Sequence, residues 1–217
     1  MTTTEIHDPG ARFDPAAGLS PRSIGVPGGE LAVLEAGQGG SPLLLVHGFT
    51  GSKEDFGAEV QRLAGVGFHA VAPDHRGHGG SHHPSDEAAY DFEAFAEEMF
   101  ALADALGWSR FDLLGHSMGG MIAQYMVLAR PERISRLILM DTAHGPVQEL
   151  DAELLDLGIA LAREQGLEPI LELLKMGADP LANPAHARLC DEVPGYESWC
   201  DAKFLASSAS MFASMLR

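Results

Sequence analysis

The segment GHSMGG at residues 115–120 decides the fold, because it fits the pattern G-x-S-x-G at the junction of two recognisable elements. The apolar run Phe111 to Leu114 directly before it is typical of a buried strand, and Met118 to Ala129 directly after it has the apolar spacing of a helix. Glycines at the ends of the pattern permit a turn so sharp that the central side chain is exposed in a strained conformation. The segment therefore predicts a strand, a tight turn and a helix that present Ser117 as a nucleophile.

The same alternation of short apolar runs and helical patterns extends to both sides of this segment. The run Pro42 to Val46 is the first clear strand, and it is apolar on both faces, as in a central parallel strand. Phe68 to Ala72 and Ile134 to Met140 are further predicted strands, and Asp91 is placed to cap a helix that ends near Gly107. This order predicts an α/β fold with a mostly parallel central sheet flanked by helices.

The 217 residues are sufficient for one main domain of ordinary size. We expect a Pro- and Gly-rich leader over residues 1–27, the α/β core over residues 28–146 and a helical cap region over residues 147–217. The cap is assigned because the apolar spacing after Val147 is helical, without a further strand-like run as far as Arg217. We interpret this region as helices laid over the sheet.

The composition narrows the function classes. Lys and Arg number 14 against 31 Asp and Glu, so the formal net charge of −17 argues against a nucleic-acid partner. The longest apolar stretches are too short to span a bilayer and the polar start lacks a signal-peptide pattern, so we expect a cytoplasmic protein that does not bind a membrane.

Cys190 and Cys200 lack the spacing of a zinc site and are expected to be reduced and structural, although a disulfide between them is open in principle.

Two backbone amides are expected beside the nucleophile. Ser117 precedes a helix N-terminus, where unpaired amides and the helix dipole favour the negative charge of an acyl-transfer oxyanion. The amide of Met118 is one predicted donor to this oxyanion. The second is the amide of Phe49, in the loop after the strand that ends at Val46, where Gly48 lets the backbone turn toward the serine. A small-molecule acyl substrate is the implied partner.

Three motifs carry a family resemblance: HGF at residues 47–49, DHRGHG at residues 74–79 and GHSMGG at residues 115–120. By their order and spacing the chain resembles the α/β-hydrolase superfamily over about residues 30–145, and most of all its branch of esterases, lactonases and cofactor-free perhydrolases. The resemblance implies a serine hydrolase without a cofactor or metal. It disfavours an epoxide hydrolase or a haloalkane dehalogenase, since those relatives have aspartate at the position of Ser117. Perhydrolases and carbon–carbon bond hydrolases keep serine, so these activities stay open.

The resemblance also indicates structural roles for several polar residues. His47 and His116 flank the predicted site at positions that hold loops together in the superfamily. Asp74 and Arg76 are expected to fix the turn in which they lie. None of these four residues is assigned a catalytic role.

A serine hydrolase also needs a base and an acid, which the superfamily supplies in the order Ser, Asp or Glu, His. Since the helical spacing runs as far as Arg217, we expect the last strands of the family fold, with their acid and histidine, to be missing from this chain. Asp141, directly after the last predicted strand, and His144 are the candidates to replace them, and His186 is a weaker candidate. The competing hypothesis is a non-catalytic or weakly active fragment or binding module without the catalytic histidine.

The expected loss of those strands has a structural consequence. The strand Ile134 to Met140 would become a hydrophobic edge of the sheet, and the unpaired backbone of such an edge is open to pairing with another chain. A homodimer through this edge is therefore a hypothesis for the assembly of the protein.

Overall fold

A mixed β-sheet forms the centre of the computed structural model, which describes residues 13–145, 151–178 and 184–217. Within these ranges the strands are β1 Arg22–Val26, β2 Gly29–Ala36, β3 Ser41–Val46, β4 Phe68–Pro73, β5 Phe111–His116 and β6 Ile134–Met140. Their spatial order is β1-β2-β4-β3-β5-β6. The strand β2 is antiparallel to both of its neighbours, and the other pairs are parallel. The predicted α/β fold with a mostly parallel central sheet is confirmed.

Helices cover both faces of this sheet. They are α1 Gly57–Ala64, α2 Phe92–Ala105, α3 Met118–Ala129, α4 Ala152–Gln165, α5 Glu168–Leu173, α6 Pro184–Glu192, α7 Tyr196–Leu205 and α8 Ala209–Met215. Both α2 and α3 contribute to a buried cluster on one face of the sheet, and α1 contributes to a smaller cluster on the other. None of the helices in the described ranges has the length and apolar character needed to cross a membrane.

The burial of the strand β3 explains why the run Pro42 to Val46 within it is apolar. Leu44 and Val46 point into the cluster beneath α2 and α3, whereas Leu43 and Leu45 point into the cluster beneath α1. A strand buried on both faces cannot alternate between polar and apolar residues. The prediction of a central strand from this run is therefore confirmed.

The start of α2 is also as predicted. The carboxylate of Asp91 accepts a hydrogen bond of 2.6 Å from the amide of Ala94, which satisfies one of the free amides at the start of the helix. The helix then buries Phe95, Met99 and further apolar residues against the sheet.

The strands β1 and β2 are absent from the sequence-based prediction, and β1 lies inside the predicted leader of residues 1–27. Residues 1–12 of that leader lie outside the described residues. Val26 pairs with Gly29, so Pro27 and Gly28 form the tight connection of a hairpin, with Gly28 at φ 96°. Proline followed by a glycine at positive φ is the signature of a type II turn. The pattern misses β1 because Ile24 is its one buried residue, which is too little for a visible alternation.

The helices α4 to α8 form the region predicted as a cap. Their apolar side chains make a separate buried cluster of Ile159, Ala162, Leu167, Ile170, Phe212 and Ala213. Phe49 of the core packs against this cluster, and its ring centroid lies 5.2 Å from that of Phe212. The predicted boundary at residues 146 and 147, together with residues 148–150 and 179–183, lies outside the described residues.

The strand β6 is the edge of the sheet among the described residues. Four consecutive side chains, Leu137, Ile138, Leu139 and Met140, are 37%, 53%, 44% and 41% exposed, so both faces of the strand are accessible. The outer backbone edge of β6 pairs with no strand of the described ranges. These features are typical of an edge that associates with another strand.

We propose that a second copy of the chain pairs with β6. We expect a dimer mass in multi-angle light scattering at micromolar concentration, and a monomer mass after Ile138→Lys, because a charge in the edge opposes pairing. The matched control is Val66→Lys, which changes an apolar side chain that is 72% exposed away from β6. A monomer mass for the unmodified chain would exclude this assembly.

Candidate active site

Ser117 lies in the tight turn between β5 and α3, as predicted. Its backbone has φ 51° and ψ −121°, which is a conformation that residues other than glycine rarely adopt. The turn is held by hydrogen bonds at both ends of the residue. The amide of Ser117 donates to the carbonyl of Met140 at 3.0 Å, and the carbonyl of Ser117 accepts from the amide of Gly120 at 2.9 Å and from Oγ1 of Thr142 at 2.7 Å. The end of β6, Thr142 after it and the first turn of α3 therefore fix the strained serine together.

The glycines of the motif are needed for close packing of backbone against backbone. A Cβ atom on Gly115 would lie 2.3 Å from the carbonyl oxygen of Gly119. A Cβ atom on Gly119 would lie 2.2 Å from the carbonyl oxygen of Val46, at the end of the adjacent strand β3. Both distances are far below van der Waals contact, so a side chain at either position would push the turn apart.

The loop after β3 lies directly against Ser117. A Cβ atom on Gly48 would be 3.1 Å from Cβ of Ser117, so the loop passes so close that a side chain at this position would press against the serine. Phe49 comes next in this loop and is half-buried, and Met118 is buried as the first residue of α3. The structure thus brings the three predicted site residues to one place. That the amides of Phe49 and Met118 bind an oxyanion stays a prediction.

The structure does not join the candidate acid and base to the serine. Asp141 and His144 are both exposed, and within the described ranges neither side chain is hydrogen-bonded to Ser117. Asp141 has φ 46°, which turns the chain sharply away from the end of β6. His186 lies in α6, where its Nε2 is 3.5 Å from the sulfur of Cys190. A catalytic role for any of these three residues therefore stays a prediction.

A cluster of three buried histidines supports the loop that contacts the serine, and the sequence did not predict it as a unit. The rings of His47, His75 and His78 have centroid separations of 4.2, 5.0 and 5.7 Å. Burial, followed by the neighbouring imidazoles, lowers the pKa of His47 well below its ordinary value of 6.5. Burial also lowers the pKa of His75 to about 4 and that of His78 to about 3. All three rings are therefore neutral near pH 7.

The turn after β4 has the structural role predicted for Asp74 and Arg76. The carboxylate of Asp74 accepts hydrogen bonds from the amides of Lys53 and Gly80 at 2.7 and 2.8 Å and pairs with Nζ of Lys53 at 2.8 Å. Arg76 pairs with the buried carboxylate of Glu98 at 2.9 Å. These contacts anchor both ends of the turn to neighbouring elements.

The two cysteines lie in the helical region, remote in sequence from the serine. Both are free thiols in the structure. Their reduced state stays a prediction. Burial raises the pKa of Cys190 and of Cys200, which reduces their reactivity. In the part of the chain that the structure describes, no group of three or more His, Cys, Asp or Glu side chains is placed to hold a metal ion.

These observations define a class of protein. A strained serine stands at the carboxyl end of a central parallel strand, with a helix N-terminus after it and a glycine-containing loop packed against it. This is the geometry of the nucleophile elbow in one α/β architecture. Comparison with known sequences agrees with this assignment. Residues 41–166 match the family described as alpha/beta hydrolase fold, and the chain belongs to this family.

Individual relatives match more than half of the chain. The chain is 35% identical over 125 residues to a protein from Homo sapiens named serine hydrolase-like protein. The matched stretch covers 57% of this chain and 61% of that relative. The chain is 33% identical over 126 residues to epoxide hydrolase A of Mycobacterium tuberculosis. The matched stretch covers 58% of this chain and 39% of that relative. The chain thus spans between about two fifths and three fifths of the length of these two curated relatives.

Solved structures support the fold over a longer stretch. The enol-lactonase from Burkholderia xenovorans LB400 superimposes with a TM-score of 0.76 at 23% sequence identity, over 90% of this chain and 72% of that protein. This likeness includes most of the described helical region as well as the sheet. At such identity it establishes the shared fold.

Proposed function

We propose that the chain is a serine hydrolase that cleaves an ester, a thioester or a lactone through an acyl-enzyme on Ser117. The observation that carries the proposal is the strained backbone of Ser117, at φ 51°, with no room for a side chain between Gly48 and its Cβ atom. Strain of this kind persists where the surrounding structure enforces it, and it is frequent at catalytic nucleophiles. A small acyl compound is the proposed substrate, and the net charge of −17 argues against nucleic acid. We further propose that the protein is cytoplasmic and needs no cofactor.

The proposed reaction has two halves. Oγ of Ser117 attacks the acyl carbon while its proton passes to a base, and the amides of Phe49 and Met118 stabilise the negative oxygen that forms. The carbon–oxygen or carbon–sulfur bond to the leaving group then breaks, and the leaving group takes up the proton. Water attacks the resulting acyl-enzyme in the same manner and releases the carboxylic acid.

The names of the relatives include both epoxide hydrolase and enol-lactonase. A serine at the elbow favours acyl transfer, since the family resemblance assigns aspartate to this position in epoxide hydrolases. An alkoxide formed from serine attacks a carbonyl and gives an ester that water can hydrolyse. Because esters, thioesters and lactones all contain such a carbonyl, we propose these compounds as the substrate class.

Labelling with a fluorophosphonate probe tests the proposal, because this probe reacts with an activated serine and mimics the tetrahedral intermediate. We expect one label per chain at Ser117 and none above background in Ser117→Ala. Ser85→Ala, a change at an exposed serine, should label like the unmodified protein. Absence of labelling in the folded, unmodified protein would reject the catalytic proposal.

The second candidate function is a non-catalytic or weakly active module that keeps the fold but lacks the catalytic histidine. It is favoured by one observation: within the described residues, no acidic or basic side chain is hydrogen-bonded to Oγ of Ser117. The pH dependence of hydrolysis of a short acyl ester separates the two candidates. A rate that titrates near neutral pH requires a base, whereas a weakly active module should show only a slow rate without such a transition.

A further inference from the structure

We infer that His47 is a positioning residue for the proposed oxyanion site, because its imidazole orients the peptide group between Gly48 and Phe49. The inference rests on the proposed function in one respect, namely that the amide of this peptide group binds an oxyanion. The geometry of the imidazole and the peptide group does not depend on the proposed function. The sequence predicted a general structural role for His47, whereas the contacts assign it a specific atom to hold.

The carbonyl of Gly48 receives two hydrogen bonds. Nδ1 of His47 lies 2.8 Å from this oxygen, and the amide of Gly51 donates to it at 3.1 Å. A carbonyl oxygen can only accept, so Nδ1 of His47 must carry the hydrogen. The direction of the Gly48 carbonyl is thereby fixed by two donors.

Fixing this carbonyl also fixes the next amide. A peptide group is planar and trans, so its C=O and N–H bonds point in opposite directions. The N–H group opposite the carbonyl of Gly48 is that of Phe49, the proposed oxyanion donor. Gly48 also lies close to the serine, since a Cβ atom at this position would be 3.1 Å from Cβ of Ser117. Rotation of this peptide would therefore turn the proposed donor away from the serine.

The ring of His47 is itself locked in one tautomer. Its Nε2 accepts a hydrogen bond of 3.2 Å from the amide of His75, so this nitrogen carries no hydrogen. Nε2 of His75 in turn donates to the carbonyl of His47 at 3.2 Å. The ring of His78 packs edge-on against that of His47, and all three rings are fully buried. A proton added to Nε2 of His47 would remove the bond from His75 and place a charge in this cluster.

Charged and titratable groups from several elements face the cluster. They are Lys203 of α7, Glu98 of α2, and Arg76 and His83 after β4. The charge of Lys203 is balanced by Asp55, which it approaches to 2.7 Å, and the charge of Arg76 is balanced by Glu98. No net negative charge is thus left beside His47 among the described groups to stabilise an imidazolium. The neutral tautomer with hydrogen on Nδ1 is the state that fits these contacts.

Two matched substitutions separate the two nitrogens of His47. In His47→Asn the side-chain amide nitrogen takes about the place of Nδ1 and can still donate to Gly48. In His47→Gln the amide reaches about the place of Nε2, so it can still accept from His75 but loses Gly48. A purely structural role of the ring predicts similar losses for both variants. The positioning role predicts that only His47→Gln is strongly impaired.

The readout is the rate of fluorophosphonate labelling at Ser117 under saturating probe. We expect His47→Asn to stay within about tenfold of the unmodified protein and His47→Gln to be about 10²-fold slower, since one oxyanion donor is worth about 10²–10³-fold. The concentration of probe at half-saturation should change little, because the donor acts on the transition state. Equal rates for the two variants, or the reverse order, would overturn the inference.

A second readout does not depend on activity, so failure of the proposed function can be told apart from failure of the inference. Nitrogen chemical shifts of the histidine rings, measured by NMR in the unmodified protein at pH 7, should show His47 protonated at Nδ1 alone. The amide resonance of Phe49 should shift in His47→Gln and remain near its position in His47→Asn. Hydrogen at Nε2 of His47 in the unmodified protein would refute the inference, even where a variant fails to fold or Ser117 fails to label.

Discussion

Replacing Asp74 with alanine should lower the free energy of unfolding by about 3 kcal/mol, the lower end of the range for breaking a buried ion pair. The carboxylate is fully buried, and its partner Lys53 is only 6% exposed. Without Asp74 the ammonium group would keep Glu54, at 2.7 Å, as its remaining partner. The amides of Lys53 and Gly80 would also lose their acceptor. The uncompensated polar groups, more than the lost attraction, account for the expected cost.

Urea denaturation of three variants measures this effect and its cause. Asp74→Asn keeps an acceptor but removes the charge, so its loss of stability should be smaller than that of Asp74→Ala. The double variant Lys53→Met with Asp74→Ala removes both charges, and it should be more stable than Asp74→Ala alone. A change below about 1 kcal/mol for Asp74→Ala would contradict the role of this pair.

The Asp74 turn matters for the proposed site because it also contains two of the three buried histidines. His75 and His78 lie in this turn and pack against His47, which holds the loop beside Ser117. Loosening the turn should therefore disturb the position of the proposed oxyanion donor, the amide of Phe49. This effect requires no contact between Asp74 and the substrate. The prediction of a loop-fixing role from the motif was right, but the partner Lys53 was not predicted, since it lies 21 residues earlier.

The elements that were predicted well are those whose signals are local. The helix α3 and the strand β6 have the predicted bounds, because a glycine turn, a proline stop and an apolar run mark them directly in the sequence. The strand β2 was missed for a physical reason. Its sequence GELAVLEA is rich in the helix formers Ala, Leu and Glu, and it is extended because it pairs with β1 and β4. Long-range pairing overrides local preference in this strand.

The residues of the candidate site also differ in whether a local signal in the sequence predicts them. Ser117, Met118 and the loop of Phe49 were located from motifs that encode a turn and its neighbours. The histidine cluster could not be located in this way, because His47 and His75 meet through contacts that span 28 residues. The tautomer of His47 depends on those contacts alone. Sequence motifs thus located the proposed nucleophile, and the tertiary structure was needed to show what holds its surroundings in place.

Lowering the pH from about 7 to about 4 should destabilise the protein steeply, because three buried histidines must remain neutral in the folded state. Their pKa values are lowered on folding, to about 4 for His75 and about 3 for His78, from an ordinary value of 6.5. The unfolded chain therefore binds more protons than the folded chain between these values. Stability is fully present above about pH 6.5 and falls as the pH decreases, by about 1.4 kcal/mol per pH unit for each such histidine.

Carboxylates also titrate in this range, so the histidine contribution must be isolated by a difference between variants. His78→Asn is the matched change, since its amide can still donate to the carbonyl of Arg76, which Nδ1 of His78 approaches to 3.1 Å, but it cannot take up a proton. Urea titrations between about pH 7 and 4.5 should show a shallower loss of stability for this variant, by about 1.4 kcal/mol per pH unit. His144→Gln, at an exposed position, should match the unmodified protein. If His78→Asn and the unmodified protein have parallel pH profiles, the cost of keeping this buried ring neutral is not what limits stability in acid.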